Sequence, residues 1–155
     1  MYIMAIKNFK AATKKQEKDY SDKILVSKYM TTKLITFRPD QFVLEVMELL
    51  IKNKISGGPV VNEKNELLGL ISEGDCMKQI AESGYYNVPL NDRKVEDHMA
   101  TDVDTISSGM SIFEVANLFY KSKRRRFPVL NNNGELVGQI SRTDILKAAL
   151  ALKDI

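Results

Sequence analysis

The chain has 155 residues, 44% of them hydrophobic and 28% charged, with a net charge of +3. That length holds one compact domain or two very small ones, and so mild a charge demands no polyanion as partner. One cysteine (Cys76) and one histidine (His98) exclude an internal disulfide and leave no metal-ligand cluster of the usual spacing.

The first stretch, 1–24, is a lysine-rich arm with Ile3, Ile6, Phe9 and Ala12 at helical intervals. Met1–Ile6 is too short for a signal-peptide core, and no apolar run approaches the roughly 18 residues of a membrane helix. The expectation is a soluble, cytoplasmic protein. From Val26 the chain repeats itself. A shift of 69 residues lays Val26–Lys78 on Val95–Lys147 without a gap, with 19 of 53 positions identical. The division is therefore 1–24 arm, 25–83 first repeat, 84–94 linker and 95–152 second repeat.

Each repeat follows one grammar. An extended piece (Lys33–Phe37, Asp102–Ile106) contains a Thr before an apolar residue, Thr36 or Thr105. A helix follows, with Val43, Val46, Met47, Leu50 and Ile51 on one face of the first and Ile112, Val115, Ala116 and Phe119 on that of the second. Ser111 and Glu114 form a capping box for the second. Two strands come next, Pro59–Asn62 and Leu67–Ser72, then Pro128–Asn131 and Leu136–Ser141, the latter pair joined through Asn133-Gly134, a hairpin signal. A closing helix runs from Asp75 to about Glu82, and from Asp144 to about Leu152. The fold class is α/β: two β-α-β-β-α repeats packed with pseudo-two-fold symmetry, each covering the other's apolar face.

The chemistry gathers where the last strand meets the closing helix. LLGLISEGDCM and LVGQISRTDIL both place Ser three residues before Asp: Ser72 with Asp75, Ser141 with Asp144. A hydroxyl there accepts a free backbone N–H, and the carboxylate lies at the positive end of the dipole. Read alone, each is an ordinary capping box; read twice in register, the pair points to a ligand with a diol and a phosphate. A carboxylate accepts from a vicinal diol, a helix N-terminus offers N–H groups to phosphate, and short apolar strands form a dry slot for a purine.

This grammar resembles a tandem pair of CBS domains, a Bateman module, over Val26 to about Leu152. The likeness includes VSKYMTTKLITF and VEDHMATDVDTI, with Met30 and Met99, and the Pro-Val pairs at Pro59 and Pro128. It implies a regulatory module holding an adenine compound (AMP, ADP, ATP, NAD or S-adenosylmethionine) in clefts between the repeats, with no covalent cofactor. By that resemblance Asp75 and Asp144 take the ribose hydroxyls, Ser72 and Ser141 the phosphate or ribose, and Thr36 and Thr105 border the adenine. The basic run Lys121–Arg126 supplies the phosphate cations, and Arg125 and Arg126 are expected to serve the Ser72/Asp75 cleft. Ser56 and Gly57 occupy the matching positions of the first repeat, uncharged, so the Ser141/Asp144 cleft is expected to lack a comparable cation, giving one phosphate-rich site and one poorer site. Gly74, where the second repeat has Thr143, leaves the first motif less furnished.

The implied partners are an adenine nucleotide, a second copy in a homodimer, and a regulated protein encoded elsewhere. The alternative is a ligand-free dimeric interaction scaffold. An enzyme is not expected, since no P-loop, metal cluster or nucleophile–base set is present. Nucleic-acid binding by the lysine arm and arginine run lacks a reader element. Cys76, Met30 and Met99 read as core residues, His98 as surface or packing, and Tyr85-Tyr86 as either packing or a partner contact.

Overall fold

The structure, a computed structural model, describes residues 24–153. The lysine-rich arm lies outside the described residues. The architecture is α/β, as the repeat grammar predicts. In chain order the elements are α1 (Val43–Asn53), β1 (Gly57–Val61), β2 (Leu67–Ser72), α2 (Glu73–Tyr86), β3 (Ile106–Ser107), α3 (Ile112–Lys121), β4 (Arg126–Leu130), β5 (Leu136–Ser141) and α4 (Arg142–Ala151).

Both hairpins form from the same turn chemistry. In the first, Asn62 Oδ1 accepts from the backbone of Lys64 at 2.9 Å and of Glu66 at 3.0 Å. In the second, Asn131 Oδ1 accepts from Asn133 and Glu135, both at 2.9 Å. Asn65 (φ 63) and Gly134 (φ 79), equivalent under the 69-residue shift, take the left-handed conformation that lets the chain reverse. β1 pairs antiparallel with β2, and β4 with β5.

The repeats differ at their leading strand. β3 runs parallel to β4, and Ser108 N extends the ladder to Leu130 O at 2.9 Å. In the first repeat the strand shrinks to one bridge, Phe37 to Val60. Pro39 stands where the second repeat has Ser108, and proline has no N–H to give.

Helix ends follow local chemistry. Ser111 Oγ accepts from Glu114 N at 3.1 Å, and Glu114 Oε1 from Ser111 N at 3.3 Å, which is the expected capping box. At the start of α1 the N-cap Phe42 has no side-chain acceptor, but Glu45 Oε1 accepts from Phe42 N at 3.3 Å, and the helix stops at Lys54 in the left-handed region. Helix α2 runs four residues past the expected Glu82, to Tyr86, through the start of the predicted linker. Asn87 (φ 54) closes it, and Arg93 ties the following segment back by bonding Gln79 Oε1 and pairing with Glu82 at 3.4 Å. Tyr85 and Tyr86, on its last turn, are exposed and meet edge to face.

The compact units do not coincide with the sequence repeats. Residues 24–34 join 104–153 in one unit, and 35–103 form the other. In the first unit, fully buried Val26 packs with Ile106, Met110, Ile112, Phe127 and Ile140. In the second, fully buried Val95 packs with Phe37, Val43, Val46, Val60 and Ile71. Each lead-in segment therefore completes the core of the other repeat. Thr31 exchanges both backbone hydrogen bonds with Gln139 (2.8 and 2.9 Å), and Ala100 does the same with Leu70 (2.8 and 2.9 Å). The glycine of each Gly-x-Ile-Ser run admits this crossing. A Cβ on Gly69 would lie 2.5 Å from Ala100 O, and one on Gly138 would lie 2.6 Å from Met30 Sδ and 2.9 Å from Thr31 O.

Candidate functional site

Each closing helix begins immediately after the serine that ends its strand, so the Ser-x-x-Asp element is fixed by the hairpin and the cap together. In the unit of residues 35–103, Asp75 Oδ2 accepts from Ser72 N at 2.9 Å and from Ser72 Oγ at 3.1 Å, while Asp75 N donates to Ser72 Oγ at 3.4 Å. In the other unit, Asp144 Oδ2 accepts from Ser141 N at 2.9 Å, and Asp144 N donates to Ser141 Oγ at 3.1 Å. The cap thus engages one oxygen of each carboxylate and leaves Oδ1 without a partner among the described residues. Both aspartates are half-buried.

The neighbours predicted from sequence sort by unit. Gly57 lies across from Ser72 in the ladder, and Ser56 O accepts from Glu73 N at 2.9 Å, so Ser56, Gly57, Ser72 and Asp75 share one end of the first hairpin. The exposed Thr36 precedes the Phe37 bridge on that unit. A Cβ on Gly57 would lie 2.8 Å from Ile71 O, so this end is closely packed around bare backbone. In the other unit Arg126 lies across from Ser141, Arg142 N donates to Arg125 O at 3.2 Å, and half-buried Thr105 leads into β3. Arg125, Arg126, Ser141 and Asp144 therefore sit together within one unit.

The basic run is not uniform. Arg124 Nε donates to Asp104 Oδ2 at 2.7 Å. The side chains of Arg125 and Arg126 are exposed and have no partner among the described residues. Arg142 was not singled out from sequence, yet it makes the most contacts here. Its Nε donates to Arg124 O at 2.7 Å, and its Nη2 to Phe119 O at 2.8 Å and Ser122 O at 2.9 Å. Its guanidinium lies 5.3 Å from the centre of the Phe119 ring. One sequence signal marks this network: Asp104, Arg124 and Arg142 fall on Ile35, Ile55 and Glu73 of the other repeat.

The remaining candidates are structural. Cys76, on α2, is buried in the core, and burial, then the nearby Asp75 and Glu73, push its thiol above its ordinary pKa. Met30 and Met99 pack against the two cores beside Gly138 and Gly69. His98 is half-buried, with its N–H on Val95 O. Among the described residues no group of His, Cys, Asp and Glu is placed to hold a metal ion, and no helix is long and apolar enough to cross a membrane.

Comparison with known proteins follows the same lines. The CBS domain family matches residues 26–82 and 95–151. An uncharacterized protein of Methanocaldococcus jannaschii is 29% identical over 155 residues, covering 82% of this chain and 92% of its own length. Several other curated relatives are longer, and the chain spans 22% to 65% of them. Among solved structures, CBSX2 of Arabidopsis thaliana in complex with AMP superposes with a TM-score of 0.72 at 27% identity, covering 84% of this chain and 98% of that one. A CBS domain pair solved with 5-methylthioadenosine and S-adenosylmethionine gives 0.65 at 25% identity, covering 79% and 97%. With two matched domains spanning most of its length and a fold shared with solved pairs, this chain belongs to the CBS domain family, as a tandem pair.

Proposed function

We propose that the chain is a regulatory module that binds an adenine nucleotide and passes the bound state to a partner protein. The observation that carries this is the duplicated cap. Two half-buried aspartates each keep one carboxylate oxygen without a partner among the described residues at a helix N-terminus, the arrangement that accepts a ribose diol beside backbone N–H groups suited to phosphate. The AMP and S-adenosylmethionine complexes of the similar pairs support an adenine compound as the ligand class. Arg125 and Arg126 are read as phosphate cations, Thr36 and Thr105 as residues near the base, and Ser56 and Gly57 as ligand-facing positions that supply no cation. On this reading the module is not itself an enzyme, and the adenine compound is a ligand rather than a covalent cofactor.

The helices also favour self-association. Met77 and Ile80 on α2, Phe113 and Tyr120 on α3, and Leu146 and Leu150 on α4 are exposed apolar residues at helical spacing. We read them as the faces of a homodimer. Buried, unpaired Cys76 suits the reducing cytoplasm.

Thermal shift with AMP, ADP, ATP, NAD and S-adenosylmethionine, with GTP as control, tests the reading. A ligand at 100-fold excess over Kd adds about 2.7 kcal/mol. Stabilisation by one adenine compound, lost in Asp75→Ala or Asp144→Ala, is the expected result. No shift with any of them at millimolar concentration rejects it in favour of a ligand-free dimeric scaffold.

A further inference from the structure

Arg142 breaks a local rule. It is the first residue of α4, where a cation opposes the helix dipole and an acid or neutral residue is preferred. The aligned residue of the other repeat, Glu73, obeys that rule. The Arg142 side chain leaves its own helix and crosses to the carboxyl end of α3. There Phe119 O takes only a long 3.4 Å bond from Ser122 N, Ser122 O lies past the last helical residue, and the dipole favours a cation. Its third bond, to Arg124 O, lies in the turn itself. The turn thus hangs on three side-chain bonds from Arg142, one backbone bond from Arg142 N to Arg125 O, and the Arg124–Asp104 ion pair. In the other unit, among the described residues, only the backbone bond has a counterpart, Glu73 N to Ser56 O.

A turn anchored so heavily needs a reason. Its two remaining arginines are the ones left without partners among the described residues, and both adjoin the Ser141/Asp144 cap. Like-charged neighbours repel, so an unanchored Lys-Arg-Arg-Arg run spreads into solvent and loses a defined direction. Here Arg124 is neutralised by Asp104, and the carbonyls that flank Arg125 and Arg126 are fixed to the helix that carries Asp144. A pre-set pair of guanidinium groups gives up less conformational freedom on meeting an anion.

We propose that Arg142 is a positioning residue, holding the Ser122–Arg126 turn so that Arg125 and Arg126 are presented to the phosphates of a nucleotide. This rests on the nucleotide reading above and assigns to this one turn the discrimination between phosphorylated and unphosphorylated adenosine. The first test needs no ligand: limited trypsin digestion of wild type, Arg142→Gln and Arg142→Lys, with thermal melts to show that each is folded. Faster cleavage after Lys121, Lys123, Arg124 or Arg125 in Arg142→Gln, partly reversed in Arg142→Lys, is expected. Unchanged cleavage overturns the anchoring role.

The second test is calorimetric titration with ATP and with adenosine. Arg142→Gln is expected to weaken ATP by about tenfold, one charge-assisted contact, and to leave adenosine unchanged. On an Arg125→Ala/Arg126→Ala background the same substitution is expected to cost nothing further, because it acts through those residues. Equal losses for ATP and adenosine, or additive losses on that background, overturn the proposal. A wild type that binds ATP no better than adenosine rejects the phosphate role of the turn, and one that binds neither rejects the nucleotide reading beneath it. The digestion result stands apart from both.

Discussion

Arg124 Nε lies 2.7 Å from Asp104 Oδ2, with the aspartate side chain 9% exposed and the arginine 51% exposed. In the other repeat the same two positions are Ile35 and Ile55. One copy thus carries an ion pair at these two positions and the other two isoleucines. Asp104→Ala is expected to cost about 1–3 kcal/mol in urea unfolding, because Arg124 then loses its buried acceptor. The double variant Asp104→Ile/Arg124→Ile, which copies the other repeat, is expected to lose less than either single change. A double variant no better than the sum of its parts would show that the corner does not tolerate the exchange.

Gly69 and Gly138 admit the crossing of a lead-in segment over the second strand of each hairpin. Gly69→Ala is expected to destabilise by about 1–3 kcal/mol, the usual range for overpacking, since the nearest obstruction is the backbone carbonyl of Ala100. Gly138→Ala is expected to cost less, because the nearest atom belongs to the flexible Met30 side chain and its backbone obstruction, Thr31 O, lies at 2.9 Å against 2.5 Å for Ala100 O at Gly69. Equal denaturation midpoints for the two variants would contradict this ranking.

Cys76 gives a pH prediction with a definite sign. Its folded pKa is raised, by burial first and by Asp75 and Glu73 next, so the native state holds the thiol proton more tightly than the unfolded chain. That contribution is complete below the unfolded thiol pKa of about 8.5 and is lost as pH rises through the folded value. Cys76→Ala removes it. The variant is expected to be about 1 kcal/mol less stable at neutral pH, with the gap from wild type narrowing in more alkaline buffer. A constant gap would refute the assignment. The folded thiol should also resist alkylating reagents at neutral pH.

The exchanged lead-in segments predict which fragments fold. Residues 35–103 contain the hairpin, both helices and Val95, whereas 26–82 contain α1, the hairpin and α2 short of its last turn, with Val26 in place of Val95. The first fragment is expected to melt more cooperatively. If 26–82 melts as sharply, the Val95 segment contributes little to that core.

Much of this arrangement is legible in the sequence because it is local. The Ser72/Asp75 and Ser141/Asp144 caps, the Ser111 box and the Asn133-Gly134 turn are each decided within about five residues. The exchange of lead-in segments is not, because Val26 and Val95 are aligned and chemically identical, so either suits either core. Arg142 escapes notice for a different reason: its partners lie 18 to 23 residues away, at the far end of another helix. The first repeat's missing strand turns on Pro39 alone, whose consequence shows only when it is set against Ser108.

The exchange also orders events at the ribosome. When residue 92 has been made, the first hairpin and both its helices exist, but the segment that seals their core does not. That core stays open until about residue 103 has emerged, and Val26, made early, waits without its own partners until β4 and β5 appear far downstream. Contacts so distant in sequence close slowly, and apolar surface left uncovered meanwhile is a route to misassembly. Completion therefore comes late for both halves, and it comes in one fixed order.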